Sequence, residues 1–411
     1  MRYIGVLTSF CCALSLIATL AACGGSGDSS GASAAGTPAV RRGFLGASFR
    51  PSGPPPFGVF SVFSKQEAPE PYPHPSTKLF GPSGYCDKPA ANGLSISSGN
   101  KVDAAKLDHI VKLGVKWTRM PISADNDDQS HVFGPGKYSF GDMDSAQCAV
   151  VRAHIEPIIG FEAGAVHYNA TPDTYSPKEL PAYKTAADFA EWCGVVAKHE
   201  RTTFTSVHRY SEPGNEVNSD TKMFPGGDAQ LAEYTKACYH AIKAADPHAT
   251  VYGFELNTVK GLDPAAFIGR LYDLGCRPGT CYDAISMHLF TRYPVPSAST
   301  PCYPNSGGNY SMQCISDIQA ATHNPALHIL IGETAYLVPA SVPDEATKAK
   351  AIVDLMNIFA QIPLVDGVNY ANVDECDLYP TGYFVGGCLV DSIGTTLPAY
   401  TALQSLAAKY Y

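Results

Sequence analysis

From residue 57 onward, short apolar runs alternate with longer stretches in which apolar positions recur every three to four residues. The short runs predict strands at 57–63, 115–120, 155–161, 204–210, 249–254, 283–288, 327–332 and 366–371. The longer stretches predict helices at 102–113, 142–153, 184–200, 228–245, 263–274, 315–321, 344–361 and 397–409. In 102–113, for example, Val102, Leu107, Ile110, Val111 and Leu113 make one apolar face while Asp103, Lys106 and Lys112 take the other. Eight strand–helix units predict an α/β fold, a (β/α)8 TIM barrel with elongated loops at its C-terminal face. A doubly wound open sheet is the alternative, but no GxGxxG follows a predicted strand.

The start of the chain has a different pattern. Residues 1–22 carry Arg2, an apolar stretch from Ile4 to Leu20 and then small residues, the layout of a secretory signal peptide. Leu20-Ala21-Ala22-Cys23 resembles the bacterial lipobox, which implies lipidation at Cys23. With Gly24 next, the resemblance implies the outer membrane or cell surface of a two-membrane bacterium. Residues 23–40 are small and polar, a flexible tether, and 41–411 are expected to form a single barrel domain. No other stretch approaches the ~20 uncharged apolar residues of a membrane span. Membrane contact is therefore expected through the lipid anchor only.

Composition narrows the partners. With 45% apolar and 16% charged residues the chain can bury a large core, and a formal charge of −9 without any basic run argues against nucleic acid. A monomer is expected. Of the 13 cysteines, Cys11 and Cys12 leave with the signal and Cys23 takes lipid, so ten remain to pair in an oxidising compartment. Cys276/Cys281, Cys302/Cys314 and Cys376/Cys388 are close enough to close local loops, leaving Cys86/Cys148 and Cys193/Cys238 by elimination. No CxxC pair and no HExxH occurs, and the Asp374–Asp377 cluster lacks calcium-loop spacing, so no metal or other cofactor is expected.

In a (β/α)8 barrel, reactive groups sit at the C-terminal strand ends. The fourth predicted strand runs into Ser211-Glu212-Pro213-Gly214-Asn215-Glu216, the seventh into Glu333-Thr334-Ala335-Tyr336, and the sixth ends at His288-Leu289-Phe290. A carboxylate at the end of a buried apolar strand costs several kcal/mol unless paired or used. Two of them facing one mouth suit retaining glycoside hydrolysis, in which one carboxylic acid protonates the leaving oxygen and a carboxylate ~5–5.5 Å away attacks the anomeric carbon. Arg119 is expected to keep Glu333 ionised, and Glu216 to hold the proton with a raised pKa. Asn215 is placed to bond a sugar hydroxyl. His288 is read either as a structural barrel-end histidine or as a substrate contact. Glu162 and Glu255 also leave apolar runs, so they are competing carboxylates that could sit in a subsite. Trp117 and Trp192 are expected in the core, and tyrosines such as Tyr293, Tyr336 and Tyr370 in the mouth.

At these residues the chain resembles the clan A glycoside hydrolases, barrel enzymes acting on β-linked sugars, and most of all members near families 5 and 39. Their strand-four Asn-Glu matches Asn215-Glu216, with Val217 in place of the usual proline, and implies Glu216 as acid/base. Their strand-seven nucleophile falls on Glu333, and the arginine that bonds it falls on Arg119. Strand six usually ends His-x-Tyr; here Phe290 replaces the tyrosine, with Tyr293 and Tyr336 as candidate substitutes. The usual tryptophan after strand eight is nearest to Tyr370. The resemblance implies a retaining β-glycosidase, and with the Trp-poor mouth and the lipid anchor the expected action is endo, on a polysaccharide at the cell surface. The second reading is a barrel that binds glycan without cleaving it. Carboxyl separation distinguishes the two, since beyond ~10 Å neither hydrolytic mechanism operates easily.

Overall fold

The computed structural model describes residues 57–59, 104–123, 138, 140–162, 185–204, 209–219, 224, 226–258, 262–289, 291–292, 313–334, 336–337, 344–360, 362, 364–370, 389–391 and 394–410. The chain divides into units 1–50 and 51–411, and the first lies outside the described residues, as do the signal, Cys23 and tether positions.

Strands β1 (Phe57–Val59), β2 (Trp117–Ser123), β3 (Glu156–Glu162), β4 (Arg209–Glu212), β5 (Thr250–Asn257), β6 (Ala284–His288), β8 (Ile329–Thr334) and β10 (Val365–Tyr370) close a parallel barrel in that order. The short strands β7 (Thr291–Arg292) and β9 (Tyr336–Leu337) continue β6 and β8 past the mouth as a separate parallel pair. Helices α1 (Ala104–Leu113), α2 (Gly141–Arg152), α3 (Ala186–Thr203), α4 (Gly227–Ala245), α5 (Pro264–Asp273), α6 (Gln313–Ala321), α7 (Glu345–Ala360) and α8 (Pro398–Tyr410) fill the crossovers. The expected TIM barrel is the observed fold.

Local chemistry explains the helix starts. Thr185 accepts from the Asp188 backbone N–H at 3.1 Å, and Asp263 caps α5 by accepting from Ala266 N–H at 2.7 Å with Pro264 in the first turn. Helix α3 buries Phe189, Trp192, Cys193 and Val196, one helical stripe, against the barrel. Its predicted end moves: α3 runs to Thr203, and Phe204, expected in a strand, is its C-terminal cap. A short, half-apolar run such as 204–207 does not by itself say whether it ends a helix or begins a strand.

Cys193–Cys238 staples α3 to α4 and Cys276–Cys281 closes the loop after α5, two of the expected pairs. Cys148 and Cys314 are disulfide-bonded as well. Cys86, Cys302, Cys376 and Cys388 lie outside the described residues.

Alternation along a strand decides which side chains enter the lumen. Trp117, Ile158, Tyr252, Ala284 and Leu330 form a small buried cluster of their own, separate from the larger core between barrel and helices. Counting by two from this cluster, Arg119, Ser286, His288 and Gly332 also face inward. So does Asn369, because Gly367 is paired with Leu330. Tyr370 is therefore turned outward, fully buried in the larger core. Its expected place in the mouth is corrected by strand parity: the inward side chain of that strand end is Asn369.

Candidate active site

Of the strands that break the alternation, β5 and β8 each deliver a glutamate. In β5, Gly253 pairs with Ile285 but Leu256 with Met287, so three residues oppose two. The extra residue is accommodated by Phe254 (φ 77°) and Glu255 (φ 39°) in the left-handed region. Simple alternation from Tyr252 would send Phe254 inward; the bulge sends Glu255 and Asn257 inward instead. In β8, Ile331 pairs with Met287 and Glu333 with His288, again one residue too many. This turns Glu333 into the lumen. The bulge at Gly332 needs glycine, since an added Cβ would stand 2.4 Å from both Glu255 Oε2 and Ser286 Oγ.

Glu216 arrives differently. The strand expected at 204–210 runs instead from Arg209 to Glu212, and the catalytic candidate lies four residues beyond it, in a turn where Gly214 (φ 83°) and Glu216 (φ 52°) are both left-handed. The turn is tied down by Gly214 N–H donating to Phe161 O at 2.5 Å and Glu216 N–H donating to Glu255 O at 2.9 Å. A strained backbone held this firmly is common at functional sites.

The structure brings Arg119, Asn215, Glu216, His288 and Glu333 together. Arg119, 1% exposed, donates through Nη1 to Glu333 Oε1 at 2.5 Å and through Nη2 to Asn215 Oδ1 at 2.9 Å. Asn215 is thereby oriented with its oxygen toward the guanidinium. Arg119 Nε stands 3.2 Å from Glu255 Oε1, a charge contact. His288 Nδ1 lies 2.9 Å from Glu216 Oε1 and 3.5 Å from Glu333 Oε2, and its Nε2 lies 3.0 Å from Glu255 Oε2. Ser286 donates to Glu255 Oε2 at 2.7 Å, and Asn257 Nδ2 donates to Glu216 Oε2 at 2.7 Å. Tyr293 lies outside the described residues; Tyr336 falls in β9, and its side chain lies outside them.

These contacts set the charges. Burial alone would keep His288 neutral, but the Glu333 charge and the bonds to Glu216 and Glu255 override it and push the imidazole up to about 10. Burial would raise Glu255, but Arg119 and His288 hold it at about 2. Glu216 is held below the usual carboxylate range: burial opposes this, while the His288 and Asn257 bonds and Arg119 prevail. Glu333 is raised by burial, which His288 and Arg119 counter without reversing, and the Glu216 and Glu255 charges add to the rise.

Both carboxyl directions differ from the sequence expectation. That expectation counted one cation, Arg119, placed on Glu333. The structure adds a second, His288, placed on Glu216, so in the ligand-free site the mobile proton sits on the imidazole rather than on Glu216.

Glu216, His288 and Glu333 each offer a donor atom within 4.8 Å of the other two. His288 Nδ1 is bonded to Glu216 and its Nε2 to Glu255, so both ring nitrogens are engaged within the protein. As paired carboxylates flanking a shared cation, the group fits proton transfer and nucleophilic attack.

Sequence alone marks Glu255 only as a competing carboxylate and does not single out Asn257. The one available signal is a Glu and an Asn closing the apolar run of β5, at positions that the bulge, not alternation, brings to one site.

No family model matches the chain, and no curated protein matches it. Similar solved structures are glycoside hydrolases. A glucosidase from Croceicoccus marinus superposes with TM-score 0.57 at 13% identity over 87% of this chain and 69% of that one. A family 39 glycoside hydrolase from Bacteroides cellulosilyticus WH2 gives 0.54 at 16% identity over 74% of this chain, which spans 61% of that protein. Xylanase 10B from Thermotoga petrophila RKU-1 gives 0.51 at 15% over 74% and 88%. At such identities the likeness is one of architecture: the chain has the (β/α)8 barrel fold of these glycoside hydrolases.

Proposed function

We propose that this protein is a retaining glycoside hydrolase that cleaves β-glycosidic bonds of a polysaccharide by double displacement, with Glu333 as nucleophile and Glu216 as acid/base. The observation that carries the reading is the approach of the two carboxyls, with an oxygen of each within 4.8 Å. Retaining enzymes need ~5–5.5 Å between carboxyl groups, inverting ones ~6.5–9.5 Å to admit a water. The wide separation, beyond ~10 Å, that would have favoured a binding-only barrel does not arise.

His288 supplies the charge logic. In glycosylation Glu333 attacks the anomeric carbon while Glu216 gives a proton to the departing oxygen, so negative charge leaves Glu333 and appears on Glu216. His288 Nδ1 stands 2.9 Å from Glu216 and 3.5 Å from Glu333, close enough to be the counter-ion of both before that step, and it becomes neutral as its proton passes through Glu216 to the leaving oxygen. Because Glu216 is ionised in the free site, the proton it delivers comes from the Glu216–His288 pair, which titrates as a unit. In deglycosylation Glu216 takes a proton from water, the water attacks the ester, and Glu333 is released as the carboxylate that Arg119 receives. Asn215, its oxygen held by Arg119, turns its amide N–H toward the substrate. The Cys23 lipobox and tether support export and display at the outer membrane or cell surface, where a polysaccharide would be met.

The test is turnover of β-linked polysaccharides and aryl β-glycosides by the purified protein, with the anomer of the first product read by NMR. A β-anomer, and a loss of at least ~10³-fold in Glu333→Gln, is expected. An α-anomer as first product, or turnover unchanged by Glu333→Gln, would overturn the assignment.

A further inference from the structure

Both oxygens of the Glu216 carboxylate meet donors, and the donors come from different strands. His288 of β6 faces Oε1 at 2.9 Å, and Asn257 of β5 donates to Oε2 at 2.7 Å. The amide orientation is dictated by chemistry, because only its nitrogen can face a carboxylate. Asn257 is in turn gripped by Asn218: its backbone N–H donates to Asn218 Oδ1 at 2.8 Å, and Asn218 Nδ2 donates to its carbonyl at 2.7 Å. The two asparagines are 6% and 9% exposed. The same stretch of β5 also receives the Glu216 backbone N–H at Glu255 O. Thus the turn carrying Glu216 is stapled, through backbone and side chain, to the strand segment that the bulge rotates inward.

We infer that Asn257 is a positioning residue for Glu216: clamped by Asn218 at the β5 bulge, its amide occupies Oε2 and leaves Oε1, the edge shared with His288, as the oxygen that takes and returns the proton. The value of this for turnover rests on the glycosidase reading; the effect of the contact on Glu216 itself does not. A donor on Oε2 stabilises the ionised carboxylate there and disfavours protonation at that edge. Arg119, Glu255, His288 and Glu333 also face the pair, and all remain when the amide is removed.

The experiment titrates Glu216 directly by carbon NMR of protein labelled at the glutamate carboxyls, with Glu216→Gln identifying the resonance. In Asn257→Ala the Glu216 midpoint is expected to rise by about one pH unit. Asn218→Ala, which keeps the amide but frees it, should shift the same midpoint upward by less. It carries the test if Asn257→Ala does not fold by circular dichroism. In turnover, Asn257→Ala should lose about tenfold or more on aryl glycosides with poor leaving groups, which need acid assistance, and least on dinitrophenyl glycosides. The basic limb of the pH profile should move up, with kcat affected more than KM. A Glu216 midpoint unchanged in the folded variants would overturn the inference. If the wild type hydrolyses no glycoside, the proposed function fails while the titration still decides the role of Asn257.

Discussion

Glu255 at the barrel mouth and Glu200 on the buried side of α3 are 1% and 0% exposed, yet their carboxyls move in opposite directions. Glu255 lies within bonding reach of Arg119, His288 and Ser286 and is held at about 2. Glu200 accepts one bond, from Gln147 Nε2 at 2.6 Å, and is pushed by burial, with help from the Asp144 charge, up to about 8. No cation among the described residues figures in its shift. Equal burial therefore gives an anion in one place and a neutral acid in the other. The number of cations in contact decides between them, and of these two places the mouth is the one that has them.

The largest expected effect comes from removing the Glu255 charge. Glu255→Gln leaves Arg119 and His288 buried with one counter-charge fewer and should cost about 3–5 kcal/mol in urea unfolding near pH 6. A loss below about 1 kcal/mol would mean that the mouth cations do not depend on it. The shifts set the pH window. Glu255 stabilises above its ordinary 4.5 and loses this as pH falls toward about 2, whereas His288 stabilises below its ordinary 6.5 and loses this as pH rises through about 10. The network therefore contributes most between those two ordinary values.

Glu200 should behave in the reverse sense to Glu255. Its stabilising contribution is full below 4.5 and fades as pH rises through about 8, by at most about 5 kcal/mol. Glu200→Gln should flatten that part of the slope, read as melting temperature from pH 5 to pH 9. Parallel slopes for the two proteins would refute the neutral acid. Next in size, Gly332→Ala pushes a methyl to 2.4 Å from Glu255 Oε2 and should cost about 1–3 kcal/mol, with turnover falling further than stability. Retained activity would show that the bulge tolerates a side chain. The smallest change belongs to the opposite end of the barrel, where Arg209 and Glu156 pair at 2.7 Å with each side chain 36% exposed. Glu156→Gln should stay within about 1 kcal/mol, since water screens such a pair; a larger loss would blur the contrast with the mouth.

Much of the site was legible because barrel strands read as apolar runs and the residues just past their C-terminal ends are aimed at one mouth. Arg119, Glu216 and Glu333 stand out on that basis, as do the two core tryptophans. His288 could be located but not assigned, since its role depends on three carboxyls from three other segments. Tyr370 was misplaced for want of parity: one residue along a strand exchanges lumen for outer core. Glu255 and Asn257 were undervalued because a bulge carries no hydrophobic signature.

By itself, the sequence determined the alternation of strands and helices, the barrel that such alternation closes, and which strand ends carry carboxylates. These are properties of local pattern, written in every few residues. The tertiary structure decided which face each of those residues takes and what charge it bears. Bulges in β5 and β8 and the left-handed turn at Glu216 override simple alternation. A second cation on Glu216 reverses the protonation order that one arginine would impose. Electrostatics at a buried site depends on the distances among groups far apart in the chain, and those distances exist only after folding.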